Sequence, residues 1–392
     1  MITTRPVEPL SPEILDDIGL SWHTDTDGSS YIAPELVPVS HAEAEAFYTA
    51  ANTLYDQFVE TAQRVIDEQR YSDLGIPSNL VTLIEDSWEK DDLHLYGRFD
   101  FAGGLDGLPI RLIEFNADTP TSLFETSIVQ WALLKANRMD EQAQFNNLHE
   151  MLQENFRRLI TGGGDPGDFA ARYTGEKLLF SSAGGLPEDE QTVRYLQSVA
   201  REAGFYTDFC YLHEAGFTSG EGVFNTDQEL ADFWFKLFPW EDIAADELEL
   251  TRMLQRVAEY GRTRLINPAY TVLFQSKGLL PLLSEMFPES PYLLRAENGP
   301  LDRVDQVRKP MFGREGANVA LLSAAGEVEE QVPGPYGHHK VIYQERARYP
   351  VDAAGNQYQA GVFFAWEACA LGFRRGGPIL NDQAKFVGHL IV

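Results

Sequence analysis

YGRFD (Tyr96–Asp100) and LIEFNADTPTS (Leu112–Ser122) read as the two arms of a β-hairpin, with Gly103, Gly104, Asp106 and Gly107 supplying the turn. Side chains two apart in a strand share a face. Arg98 therefore joins Asp100 on one arm, and Glu114 joins Asn116 on the other, while Phe99, Phe101, Ile113 and Phe115 alternate with them. If the arms pair with these faces together, two carboxylates, an amide oxygen and a guanidinium converge. Carboxylate and amide oxygens are the hard ligands that Mg²⁺ takes, commonly together with substrate phosphates. The pattern also fits a solvated outer face with ordinary salt bridges, and the hairpin alone leaves both readings open. Asp118 shares the parity of Glu114 and Asn116.

A chain of 392 residues can bury a large core and hold two or more subdomains. No apolar run is long enough to cross a bilayer as a helix, and MITTRPVEPLSPE has neither a basic start nor an apolar stretch. A soluble, cytoplasmic protein is the expectation. Cys210 and Cys369 are too few and too far apart for a disulfide framework or a cysteine-rich zinc site. A net charge of −29 argues against a nucleic-acid partner. The acidity fits either a field that draws in a cationic substrate such as a polyamine or a generally acidic surface, and the acids are spread along the whole chain. Only eight of the 31 basic residues are lysines, so a lysine inside a motif draws notice.

Periodicity predicts a helix over residues 40–70, the hairpin at about 95–117, and a helix opened by a Ser122/Glu125 capping box. Another helix is expected over 141–161, followed by the GGGDPGD loop. Lys177–Ala183, a helix over 188–203 and a strand near Phe205–Cys210 form a βαβ order, which implies a parallel pair. Residues 226–262 read as largely helical, with FWFKLFPWED broken at Pro239. A helix over Tyr270–Phe287 should kink or divide at Pro281. The last hundred residues read as short strands between Gly and Pro turns, including 303–310, 318–323, 340–347 and 359–366.

Three further strings carry charge suited to phosphate. KPMFGREGANV places Lys309 before Gly313, Arg314, Glu315 and Gly316, where backbone N–H groups could surround phosphate oxygens, although the Walker spacing is absent. A plain glycine-bearing hairpin turn fits equally. Lys277 in FQSKGLLP is a second phosphate partner or an exposed helix lysine. GFRRGGPILNDQAKF carries Arg374 and Arg375, either anion-binding forks or a basic surface turn. HHKVIYQERARYP sets Gln344 and Glu345 after an apolar run, a point where a strand can offer backbone groups to an adenine edge.

Together YGRFD, LIEFNADTPTSL with VQW, KLFPWE, SKGLLPLLSEMFPESPYLL, KPMFGREGANV and YQERARYP resemble the glutathionylspermidine synthase family, an offshoot of the ATP-grasp ligases. The resemblance runs from about residue 95 to 350. It implies an α/β (α+β) ATP-grasp-like fold. One synthetase unit would divide into a pre-ATP-grasp and metal-site region over 1–265, a β-rich nucleotide-binding lid over 266–345, and a C-terminal completion of the core over 346–392. The implied activity is an ATP- and Mg²⁺-dependent carboxylate–amine ligase working through an acyl phosphate. On the family pattern Asp100, Glu114 and Asn116 hold two Mg²⁺ ions, and Arg98 faces the transferred phosphoryl group. Lys277 and Lys309 contact the ATP phosphates, Gly313 to Ala317 cover them, and Gln344, Glu345 and Ala347 line the adenine pocket. The family's C-terminal catalytic arginine falls at Arg374 or Arg375. The cysteine amidase half of the bifunctional members is not expected here. The competing class is an ATP-binding protein of the same fold without chemistry. An amidase or protease would need an activated nucleophile, and neither Cys210, Cys369 nor His338–His339 sits in a recognisable motif.

Overall fold

The hairpin forms, and its register organises what surrounds it. In a computed structural model describing residues 1–25 and 27–392, Gly97–Ala102 pairs antiparallel with Arg111–Asn116, setting Arg98 against Asn116 and Asp100 against Glu114. All four polar residues therefore share one face. The other face carries Phe99 directly across from Phe115, stacked at 3.8 Å, and both rings meet Phe58 of the helix His41–Asp67 edge-on. That helix begins at a complete Ser40/Glu43 capping box, close to the expected boundary. Its apolar stripe of Phe47, Leu54 and Phe58 covers the aromatic face and leaves the polar face free.

One detail of the expected alternation fails. A bulge follows Asp100, so Phe101 pairs with Leu112 and Ile113 drops out of the pattern. Leu112 takes the core position, with no exposed surface, and Ile113 turns to the cleft.

The hairpin edges a mixed seven-stranded sheet. Its order is Arg5–Pro6, Ile32–Val39, Lys385–Ile391, Glu367–Gly376, Gln357–Ala365, Gly97–Ala102 and Arg111–Asn116. A second sheet is wholly parallel, in the order Arg264–Ile266, Phe233–Leu237, Lys177–Ser182 and Tyr206–Tyr211. The helix Pro187–Ala203 completes the expected βαβ unit. The third sheet is antiparallel and spans 296–345, in the order Ala296–Glu297, Val341–Glu345, Gln306–Pro310, Ala320–Leu322 and Val328–Gln331. A small three-stranded sheet lies within 216–231.

Four sequence expectations are corrected. FWFKL is the buried strand Phe233–Leu237 and not part of a helical region, because a strand covered on both faces shows a continuous apolar run without period two. Helices do follow it, at Trp240–Asp246 and Leu248–Tyr260. The Ser122/Glu125 capping box does not form. Ser122 has φ 62°, the helix opens as a π-turn over Glu125–Val129, and the Glu125 carboxylate accepts from Trp22 Nε1 and Tyr31 Oη instead. The helix expected from 141 starts at Leu148, since residues before it run along the inner strand Glu367–Gly376 through an Asn146–Ala370 bridge. Pro281 lies in the first turn of Leu279–Met286, where its missing N–H is harmless, so the break from Thr271–Gln275 falls at Ser276–Gly278. Gly278 is required there, because a Cβ would come within 2.7 Å of Leu74 Cα.

Candidate active site

The polar face of the hairpin continues across the sheet. Asp100 lies beside Gly361, Gly361 beside Gly372, and Gln359 beside Arg374. Both glycines matter for reach. A Cβ on Gly361 would press on Arg98 Cδ at 3.0 Å, and one on Gly372 would meet Thr126 Oγ1 at 2.8 Å. Arg98 can therefore lie flat along the sheet, where its Nε and Nη2 grip the Asp100 carboxylate at 2.6 and 3.0 Å and Nη1 donates to the Thr121 carbonyl at 2.5 Å. Asn116 Nδ2 donates to Asp100 Oδ2 at 3.1 Å and faces Glu114 Oε1 at 3.5 Å. Two carboxylates and one amide thus meet side by side.

Two lysines close on this face from other elements. Lys277, at the break between the two short helices, pairs with Glu114 Oε2 at 2.9 Å and donates to the Gly313 carbonyl at 2.9 Å. It is buried and not an exposed helix lysine. Lys309, on the strand Gln306–Pro310, donates to the carbonyl of the bulged Ile113 at 2.7 Å. Burial lowers Lys309 to about 7, against the pull of Glu114 and with the push of Lys277. Burial alone would raise the Glu114 carboxyl, but Lys277 and Lys309 outweigh it and hold it well below the usual range.

The cleft between this face and the third sheet also takes in Gly313 to Ala317, Gln344 to Ala347 and Arg374. Gln344 is buried and donates to the Leu112 carbonyl at 3.1 Å, while Glu345 is exposed. Gly316, at φ 67°, packs against the Leu380 carbonyl so closely that a Cβ would stand 2.4 Å from it. Arg374 and Arg375 end the strand Glu367–Gly376 and do not form a surface turn. Strand alternation separates them. Arg374 lines the cleft, and Arg375 turns away to pair with Glu35 beside Tyr358. The rings of His338 and His339 lie 4.0 Å apart and tilted at 39° to each other, and neither lines the cleft.

Arg314, named from sequence only as part of the glycine loop, reaches from that loop to Thr119 Oγ1 at 2.6 Å. Beyond it stands an acid cluster. Glu188 and Asp189 sit in the first turn of Pro187–Ala203, and Glu241 in the first turn of Trp240–Asp246, both helices starting at the carboxyl ends of parallel strands. Burial, then Glu125 and Asp189, raise Glu188 to about 8, and burial raises Glu241 to about 7. KLFPWE ends on Glu241, but nothing in that string marks the residue as part of a cluster.

Among the described residues no group of three or more His, Cys, Asp and Glu side chains could hold a metal ion. A hard cation on this face would take two carboxylates and an amide oxygen from the protein and complete its shell with phosphate and water, a donor set that suits Mg²⁺. The amide orientation of Asn116 is free to invert for that purpose.

Residues 2–392 match the family described as glutathionylspermidine synthase pre-ATP-grasp. The chain belongs to this family. A Haemophilus influenzae protein named "Putative acid–amine ligase" is 29% identical over 410 residues, covering 100% of this chain and 99% of that one. The trypanothione synthetase of Crithidia fasciculata is 26% identical over 315 residues, 74% of this chain and 46% of its own. The bifunctional glutathionylspermidine synthetase/amidase of Escherichia coli is 24% identical over 379 residues, 89% of this chain and 56% of its own. The chain thus spans about half the length of the latter two relatives. A glutathione synthetase-like effector from Globodera pallida, in its apo form, shares the fold with a TM-score of 0.57 over 99% of this chain and 100% of its own, at 9% identity. The family places the protein among ATP-dependent ligases that join an acid to an amine. No helix is long and apolar enough to cross a membrane among the described residues.

Proposed function

We propose that the protein phosphorylates a carboxylate with ATP and passes the acyl group to the free amino group of an otherwise cationic substrate, with phosphate leaving and taking up the amine proton, and with Mg²⁺ on the hairpin. The observation that carries this reading is the convergence of Asp100, Glu114 and Asn116 with Lys277 and Lys309 at one end of the cleft. Phosphoryl transfer needs positioning and charge neutralisation more than a protein nucleophile. Asp100, Glu114 and Asn116 would hold the metal, which when bound neutralises charge on the ATP phosphates. Lys277 and Lys309 bind the phosphates, and Gly313 to Ala317 cover them and exclude water, which an acyl phosphate demands. Gln344, Glu345 and Ala347 line the base end of the cleft. Arg98, released from part of its grip on Asp100, orients the transferred group. Arg374 faces the same space, and Arg375 serves the sheet.

Glu188, Asp189 and Glu241 would receive the amine, whose positive charge restores ionisation to carboxyls that burial has raised. A polyamine or a basic peptide amine fits this acid cluster, and the relatives' names supply glutathione and spermidine as first probes. The test is ADP release with pairs of acids and amines, wild type against Glu114→Ala. Equal turnover by the variant would sink the metal-site assignment. ATP binding without ADP release under any pair would favour a nucleotide-binding protein without chemistry.

A further inference from the structure

Asp118 and Lys236 form an ion pair in which both side chains are wholly buried, with Nζ 3.3 and 3.4 Å from the two carboxylate oxygens. Lys236 Nζ also donates to the Phe238 carbonyl at 2.7 Å and sits 4.1 Å above the Trp240 ring. Asp118 Oδ2 accepts the Trp240 N–H at 3.0 Å, at the start of the helix Trp240–Asp246. Burial raises Asp118 and lowers Lys236, so neither charge is at ease. A buried pair of this kind is commonly no more stable than a well-packed apolar one. Stability alone gives no reason for it.

Its position does give one. Asp118 follows the hairpin by two residues, and its backbone is fastened on both sides. Gln275 Oε1 accepts the N–H groups of Ala117 and Asp118 at 2.9 and 3.3 Å, two residues before Lys277. Asn267 Nδ2 donates to the Ala117 and Asp118 carbonyls at 3.3 and 2.9 Å. The hairpin and the helix break carrying Lys277 therefore meet at the backbone of Asp118, and the corner carrying Glu241 meets its carboxylate. The next residue, Thr119, is the one that Arg314 of the glycine loop reaches.

We propose that the Asp118–Lys236 pair is a positioning element that fixes Thr119, so that Arg314 docks the glycine loop in register over the reacting groups. The pair would touch no substrate and act through Thr119. This rests on the ligase reading above, and the experiment separates the two.

Asp118→Asn and Lys236→Met, made singly, each leave an uncompensated buried charge or donor and should lower Tm by several degrees. Made together they remove both charges, and Tm should return close to that of the wild type. The decisive readout is tryptic cleavage after Arg314 in the presence of Mg²⁺ and a non-hydrolysable ATP analogue. The double variant should be cut about tenfold faster than wild type while its Kd for the analogue stays within about threefold. Its turnover, with the pair of probes that releases most ADP, should fall about 100-fold through kcat. Thr119→Val should reproduce the faster cleavage at unchanged Tm. A double variant that protects Arg314 and turns over like wild type would overturn the proposal, as would equal loss of analogue binding. A wild type that binds no analogue would defeat the ligase reading itself, and the pair's role with it.

Discussion

The charged groups on the hairpin face and those at the carboxyl ends of the parallel strands are built in opposite ways. On the hairpin face the acids are matched. Glu114 is paired with Lys277 and Asp100 with Arg98, and Lys309 stands ready with its charge half suppressed. At the carboxyl ends of the parallel strands the acids are in excess, and burial leaves Glu188 and Glu241 without full ionisation. The first arrangement has spare positive capacity for an anion. The second has spare negative capacity for a cation. The sheets carrying them teach the reason. Strand pairs with in-register faces can interleave opposite charges, whereas helix starts at the ends of a parallel sheet gather acids because the helix dipole favours them there.

The largest expected break in this contrast is Glu114→Gln, which removes the carboxylate partner of Lys277 and one of the proposed metal ligands together. ADP release should fall about 1,000-fold. Arg374→Ala should follow with a loss of about 100-fold, whereas Arg375→Ala should leave turnover within about twofold and reduce stability by about 1 kcal/mol in a denaturant titration. Glu188→Gln should raise KM for the amine about tenfold with kcat little changed, since it removes ground-state attraction.

The smallest effect is the most discriminating, because its sign differs between the clusters. Lys309 has a nucleotide-free pKa of about 7, and triphosphate beside it must raise that value. At pH 8 ATP binding should take up roughly one proton, and at pH 6, where the lysine is already charged, almost none. Glu188 at about 8 and Glu241 at about 7 respond in reverse. A cation entering at pH 7 lowers both, so amine binding should release about one proton. Calorimetry in two buffers of different ionisation enthalpy measures both. Proton changes of one sign for both ligands would erase the distinction between the clusters.

Much of the first cluster was legible in sequence because strand parity is strict. Arg98, Asp100, Glu114 and Asn116 share a face in the structure as their spacing requires, and Lys277 and Lys309 join them from strings that stood out for their lysines. The bulge at Ile113 was not legible, since one extra residue leaves no mark on composition. FWFKL misled because periodicity cannot separate a strand buried on both faces from a buried helix. That error hid Lys236, which reads as a helix lysine only while its strand goes unseen. The acid cluster was invisible for another reason. Glu188 and Glu241 are far apart in sequence and unremarkable in a chain with 60 acids, and only the parallel sheet brings their helix starts together.

The seven-stranded sheet also constrains how the chain reaches this state. Gly97–Ala102 pairs with Gln357–Ala365, and Ile32–Val39 lies parallel to Lys385–Ile391. The polar face of the hairpin is thus flanked by strands that lie far later in the chain. Until they arrive, Asp100 and Arg98 sit on an unpaired strand edge, exposed to wrong partners and to aggregation. Such long-range pairing slows folding. A ligase able to consume ATP is in this way kept incapable of catalysis until strands from distant parts of its chain have paired.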